Sequence, residues 1–90
     1  AEEGTEKHLP VVTKDGNKIK VNVGSIPHPM TAEHHIDWIS LVYNNKMEIA
    51  KLDPTASPEA TFDIDGDFEY IEIYAYCNIH GLWKIKIESL

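Results

Sequence analysis

The stretch "YIEIYAYCNIHGLW", Tyr70 to Trp83, holds the one cysteine of the chain, Cys77, and a histidine, His80, three residues further on. Residues three apart on a strand point to opposite faces. Thiol and imidazole can therefore share a target only where the chain turns between them. Asn78 and Gly81 are the turn formers that permit it. A thiolate is a strong, soft metal ligand, and imidazole suits iron, copper and zinc. The plain alternative is a buried small thiol and a surface imidazole with no common task.

Four more histidines, His8, His28, His34 and His35, sharpen the metal reading. None lies clearly on an apolar strand face. His8 opens the first predicted strand, and His28 and His34 flank the proline-containing segment "SIPHPMTAEHH". Loops at one end of a sandwich can converge, and binding residues favour them. Structural zinc prefers a closed, usually thiolate-rich tetrahedron, which one cysteine with three or four histidines does not supply. Copper is the rival, because a late Cys-turn-His after an early loop histidine is a blue-copper layout. The weak axial methionine of such sites normally follows the last histidine, but here Gly81, Leu82, Trp83 and Lys84 follow it. Met30 stands elsewhere, and a copper site leaves His8 and His34 without a use. A blue-copper-like electron carrier stays as the alternative function.

The elements that must position these residues read as almost entirely β. "HLPVVT" predicts a first strand with Pro10 at an edge or bulge, and Asp15-Gly16 signals a hairpin. In "KIKVNVG", Ile19, Val21 and Val23 alternate with lysines and Asn22. "HIDWISLVYNN" predicts Ile36, Trp38, Ser40 and Val42 on one face and Asp37, Ile39, Leu41 and Tyr43 on the other. "KMEIAKLD", "TFDIDG", "DFEYIEIYAYC" and "LWKIKIESL" supply four more strands. In the third of these, Phe68, Tyr70, Glu72 and Tyr74 oppose Glu69, Ile71, Ile73, Ala75 and Cys77. About seven short strands divided by turns, without a helical period, predict an antiparallel β-sandwich.

Ninety residues predict one domain, residues 1–90. A chain this short often needs a staple, and a lone cysteine cannot close an internal disulfide, which leaves a metal, an oligomer or a very good core. The single thiol fits a reducing compartment, so a cytoplasmic location is expected. "AEEGTEKHLP" shows no leader pattern, and no apolar run reaches the roughly 20 residues of a membrane span. A net charge of −7, with every basic residue a lysine, argues against nucleic acid.

Taken together, "EKHLP", "HPMTAEHH" and "CNIHGLW" resemble the iron domain of the superoxide reductase family, which includes neelaredoxin and the C-terminal domain of desulfoferrodoxin. The resemblance runs from Glu6 to the C-terminus. It implies an immunoglobulin-like sandwich of seven strands holding one mononuclear iron. By the same resemblance His8, His28, His34 and His80 are the four equatorial ligands and Cys77 is the axial thiolate. His35 in place of His34 is the alternative, and spacing favours His34. The family pattern makes Lys7 the cation that attracts superoxide and helps deliver a proton. It makes Glu6 a sixth ligand of the ferric resting state. It further implies reduction of superoxide to hydrogen peroxide, a small redox protein such as rubredoxin as electron donor, and possible homo-oligomers. The extra rubredoxin-like centre of some members needs four cysteines that this sequence does not have.

Overall fold

Ile19, Val21 and Val23 are fully buried while Lys18 and Lys20 beside them are exposed, the two-residue period of a half-buried strand. The same rule builds most of the computed structural model, which describes residues 5–88. A helical turn α1 (Thr5–His8) precedes seven strands: β1 (Pro10–Asp15), β2 (Lys18–Val23), β3 (Ile36–Tyr43), β4 (Lys46–Lys51), β5 (Glu59–Asp63), β6 (Ile71–Cys77) and β7 (Gly81–Ile87). They form two antiparallel sheets, ordered β1-β2-β5 and β4-β3-β6-β7. This is an immunoglobulin-like sandwich in which the fourth strand joins the third instead of the first sheet.

The core between the sheets is aliphatic. Ile71, Ile73, Ala75 and Cys77 make one unbroken buried row along β6. Cys77 is the last member of that row, so the thiol lies where the core meets the loops. The β3–β4 hairpin turns on Asn44 and Asn45, both with positive φ, which matches the right-handed twist of the strands.

Four expectations from the sequence need correction. The first strand does not begin at His8, because Thr5–His8 closes a helical turn with Leu9 N–H donating to the Thr5 carbonyl at 2.9 Å. The strand starts at Pro10, on a sheet edge that needs no N–H there. In β3 the alternation breaks. A bulge between Ile36 and Trp38 returns Ile36 to the core face with Ile39, Leu41 and Tyr43, away from Trp38 and Ser40. Phe68 precedes β6 and packs against the core rather than outward with Glu72 and Tyr74. The fifth strand begins at Glu59, two residues ahead of the expected Thr61. Residues 1–4, in the expected leader-free start and the 1–90 domain, and Ser89 and Leu90, in the expected last strand, lie outside the described residues.

Candidate metal centre

Three pieces of chain carry the five candidate donors. His8 comes from α1, a single turn too short to be stable alone. The loop after β2 holds it in place. Ile26 N–H donates to the Glu6 carbonyl at 3.0 Å, and Ser25 Oγ donates to the same oxygen at 3.2 Å. Gly24 lies so close beneath that a Cβ there would stand 2.6 Å from the Glu6 carbonyl oxygen and 2.9 Å from that of Leu9. His28 and His34 come from the β2–β3 loop. The His28 N–H is anchored to the Val23 carbonyl at 2.8 Å, and His34 sits in a turn closed by Thr31. Cys77 and His80 flank the β6–β7 turn, which leaves through Gly81 at a φ of 84°, a conformation favouring glycine.

These pieces bring His8, His28, His34, Cys77 and His80 together, each offering a donor atom within 4.8 Å of every other. The four imidazoles form a closed ring in the order His8, His28, His34, His80. Neighbouring centroids lie 4.6, 4.6, 5.1 and 4.9 Å apart, and every neighbouring pair is close to perpendicular. His28 Nε2 lies 3.1 Å from His8 Nε2 and 3.4 Å from Cys77 Sγ. His80 Nδ1 is 3.7 Å from the same sulfur, and the His80 backbone N–H donates to it at 3.3 Å.

The electrostatics suit a cation. His28 is 2 % exposed, and burial lowers its pKa to about 4. Its Nδ1–H donates to the Pro29 carbonyl at 2.7 Å, which opposes that shift and leaves Nε2 as the free lone pair facing the cluster. Burial, then His80, His8, His35 and Lys7, also lower the pKa of His34. His34 Nε2 is buried without a hydrogen-bond partner. A buried imidazole nitrogen left so is costly unless it serves as a ligand. Four imidazoles and one thiol whose donor atoms converge fit one transition-metal ion.

A pocket opens over the imidazole ring, its remaining wall made by Glu6, Lys7 and Pro29. Cys77, fully buried, takes no part in that lining and closes the centre from the core side. Glu6 and Lys7 are thus beside the cluster, on its open side. His35 stands apart, its Nδ1–H donating to the Thr31 carbonyl at 2.8 Å. The Met30 sulfur accepts the Ile36 N–H at 3.3 Å. Sequence reasoning gave no role to Trp83, whose indole stacks on His8, and none to the side chain of Asn78. The tryptophan sits on a strand among alternating residues, and nothing local marks it.

An immunoglobulin-like sandwich with four imidazoles and a thiol converging at one end of its core defines a mononuclear metal-binding β domain. Within that class the chain belongs to the desulfoferrodoxin family, whose model matches residues 1–86. It is 51% identical over 82 residues to the desulfoferrodoxin of Clostridium acetobutylicum, covering 91% of this chain and 63% of that protein. It is 39% identical over 100 residues to the superoxide reductase of Thermococcus kodakarensis, covering 91% and 86%. Its fold is similar to the crystal structure of the superoxide reductase from Treponema pallidum, with a TM-score of 0.85, 41% identity, and 91% and 66% of the two chains covered. The one-iron superoxide reductase from Giardia intestinalis gives 0.83 at 27% identity, covering 93% and 99%. The chain spans less than two thirds of the length of the desulfoferrodoxin from Clostridium acetobutylicum and of the desulfoferrodoxin homologues from Archaeoglobus fulgidus and Methanothermobacter thermautotrophicus.

Proposed function

We propose that the chain reduces superoxide to hydrogen peroxide at one iron held by His8, His28, His34, His80 and Cys77. Each turnover takes up one external electron and two protons. The observation that carries the reading is the pocket over the imidazole ring, open beside Lys7 and Glu6 and closed beneath by Cys77. Iron bound by these donors supplies the electron that superoxide receives.

The remaining work belongs to the protein. The four imidazoles and the thiolate would hold the iron, and the pocket beside Lys7 would leave room for superoxide on that side. A net charge of −7 repels an anion at long range, so the Lys7 ammonium must make the mouth of the pocket locally attractive. The same ammonium can pass a proton inward through water. Cys77 raises electron density at the centre from the closed side, as thiolate ligands do in haem enzymes. The N–H of His80 aimed at its sulfur tempers that donation. Glu6 shares the pocket wall, and its carboxylate would be available as a further ligand to oxidised iron. A small redox protein such as rubredoxin is assigned as the electron source. The single cysteine, free and buried, supports a cytoplasmic location. No helix among the described residues is long and apolar enough to cross a membrane.

Elemental analysis, visible spectra and stopped-flow mixing of the reduced protein with superoxide test this together. The expected result is about one iron per chain, a sulfur-to-ferric absorption band and a fast second-order reaction. Copper in place of iron, with intense blue absorption, overturns the reading. Bound iron with no acceleration of superoxide loss keeps the centre and removes the activity.

A further inference from the structure

Asn78 lies next to the candidate thiolate, yet its hydrogen bonds all go to another part of the chain. Its Oδ1 accepts the His35 N–H at 2.9 Å, and its own N–H donates to the His35 carbonyl at 3.2 Å. At the far end of the same carboxamide, Nδ2 donates to the Glu33 carbonyl at 3.0 Å. Asn78 thereby holds the residue before His34 and the residue after it. We propose that Asn78 is a positioning residue that sets His34 against the Cys77–His80 turn, so that donors from two distant segments meet before any metal arrives. The inference rests on the metal-centre reading above.

The other bonds of this loop do different work. Thr31 bonds both backbone groups of His34: His34 N–H donates to Thr31 Oγ1 at 3.1 Å, and the His34 carbonyl accepts the Thr31 N–H at 2.9 Å. His35 Nδ1–H closes the same turn onto the Thr31 carbonyl. These bonds shape the turn but do not tie it to β6. The regular pairing of β3 with β6 ends at Ile36 opposite Cys77, just beyond a bulge that weakens the ladder. Asn78 continues that pairing past its end. A carboxamide is required because one end must accept and the other must donate. Aspartate there would set an anionic oxygen against the Glu33 carbonyl, and alanine would leave both sides unpaired.

The test measures release of ferrous iron from the loaded protein to a colorimetric chelator. It compares wild type, Asn78→Ala and the nearly isosteric Asn78→Asp, each with and without His34→Ala. Loss of two solvent-exposed hydrogen bonds should speed release about tenfold, equivalent to about 1.4 kcal/mol. In the His34→Ala background the same change should add less than about twofold, because the partner through which Asn78 acts is gone. Should Asn78→Ala not fold, Asn78→Asp carries the comparison alone. Unchanged release, or a tenfold effect in both backgrounds, overturns the proposal, the second because it marks general loosening of the fold. A wild type that holds iron but does not accelerate superoxide loss ends the superoxide reading, while the release rates still decide the role of Asn78.

Discussion

The indole of Trp83 lies face to face with the imidazole of His8, ring centroids 4.6 Å apart and planes 16° from parallel. Trp83 stands opposite Ala75 in the β6–β7 register, and the small partner leaves room for the large ring. His8 therefore has the indole against one face, while His28 and His80 meet it edge on. A donor carried by a single helical turn is thus braced by a strand.

That stack makes Trp83 a reporter of the centre. Metal uptake should quench its fluorescence, whereas Trp38, stacked on Tyr76 on the outer sheet face, should be unaffected. Trp83→Phe should keep the metal and lose the quenching. Trp83→Leu, which removes the stack and much buried surface, should cost about 2–3 kcal/mol of stability. Equal quenching in wild type and Trp83→Phe would show that the indole is not next to the metal.

Acid should weaken the metal-free fold through His28. Its folded pKa of about 4 lies below the ordinary histidine value of 6.5, so between these two pH values the unfolded chain binds a proton that the native state refuses. This group contributes no pH dependence above about 6.5. Stability should fall as the pH drops from there toward about 4, then level off as far as this residue is concerned. Burial shifts His34 in the same direction. Urea midpoints measured at pH 7 and pH 5 should differ more in wild type than in His28→Gln. An identical pH response in the variant would rule out His28 as the source.

Gly24→Ala should displace the turn that carries His8. The new methyl would stand 2.6 Å from the Glu6 carbonyl oxygen and 3.0 Å from the Lys7 carbonyl carbon, both backbone atoms with little freedom to yield. Such overpacking costs about 1–3 kcal/mol. Thermal unfolding should show the loss, and chelator competition should show weaker metal binding alongside it. A variant with wild-type melting and wild-type affinity would mean that α1 shifts without consequence.

Lys7→Ala should slow the reaction with superoxide and leave the metal content unchanged. One attractive charge at the pocket mouth is worth on the order of 1 kcal/mol when exposed, so about a tenfold loss is expected. The wild-type rate should fall with added salt, since screening acts over about 10 Å at 0.1 M. The variant's salt response should be flatter, or reversed by the acidic remainder of the protein. A wild-type rate with an unaltered salt slope would reduce Lys7 to a surface charge.

How much of this was legible beforehand depended on whether a signal was local. The strands of the core could be read because Ile19, Val21 and Val23, or Ile71, Ile73 and Ala75, repeat with period two. Cys77 and the histidines stood out because their types are scarce and chemically specific. The phase of Ile36 could not be read, since a bulge inserts one residue without altering the composition around it. The turn at Thr5–His8 is too short to show a period. Trp83 against His8, and Asn78 between Glu33 and His35, are contacts across the fold that sequence spacing does not encode.

Cys77 and His80 flank the turn between the last two strands, whereas His8 precedes the first strand. Protein synthesis therefore delivers the donors in stages, with three imidazoles made well before the sulfur. An all-imidazole fragment would suit copper or zinc, and intrinsic affinities along the first row favour both over ferrous iron. His8 and His28 are already tied together through the loop after β2, but His80 joins them only once β6 and its turn pair with β3 and β7. The full ring of four imidazoles cannot close ahead of the thiolate, because His80 follows Cys77 in the chain. The complete donor set is therefore a property of the finished sandwich and of no shorter piece of the growing chain.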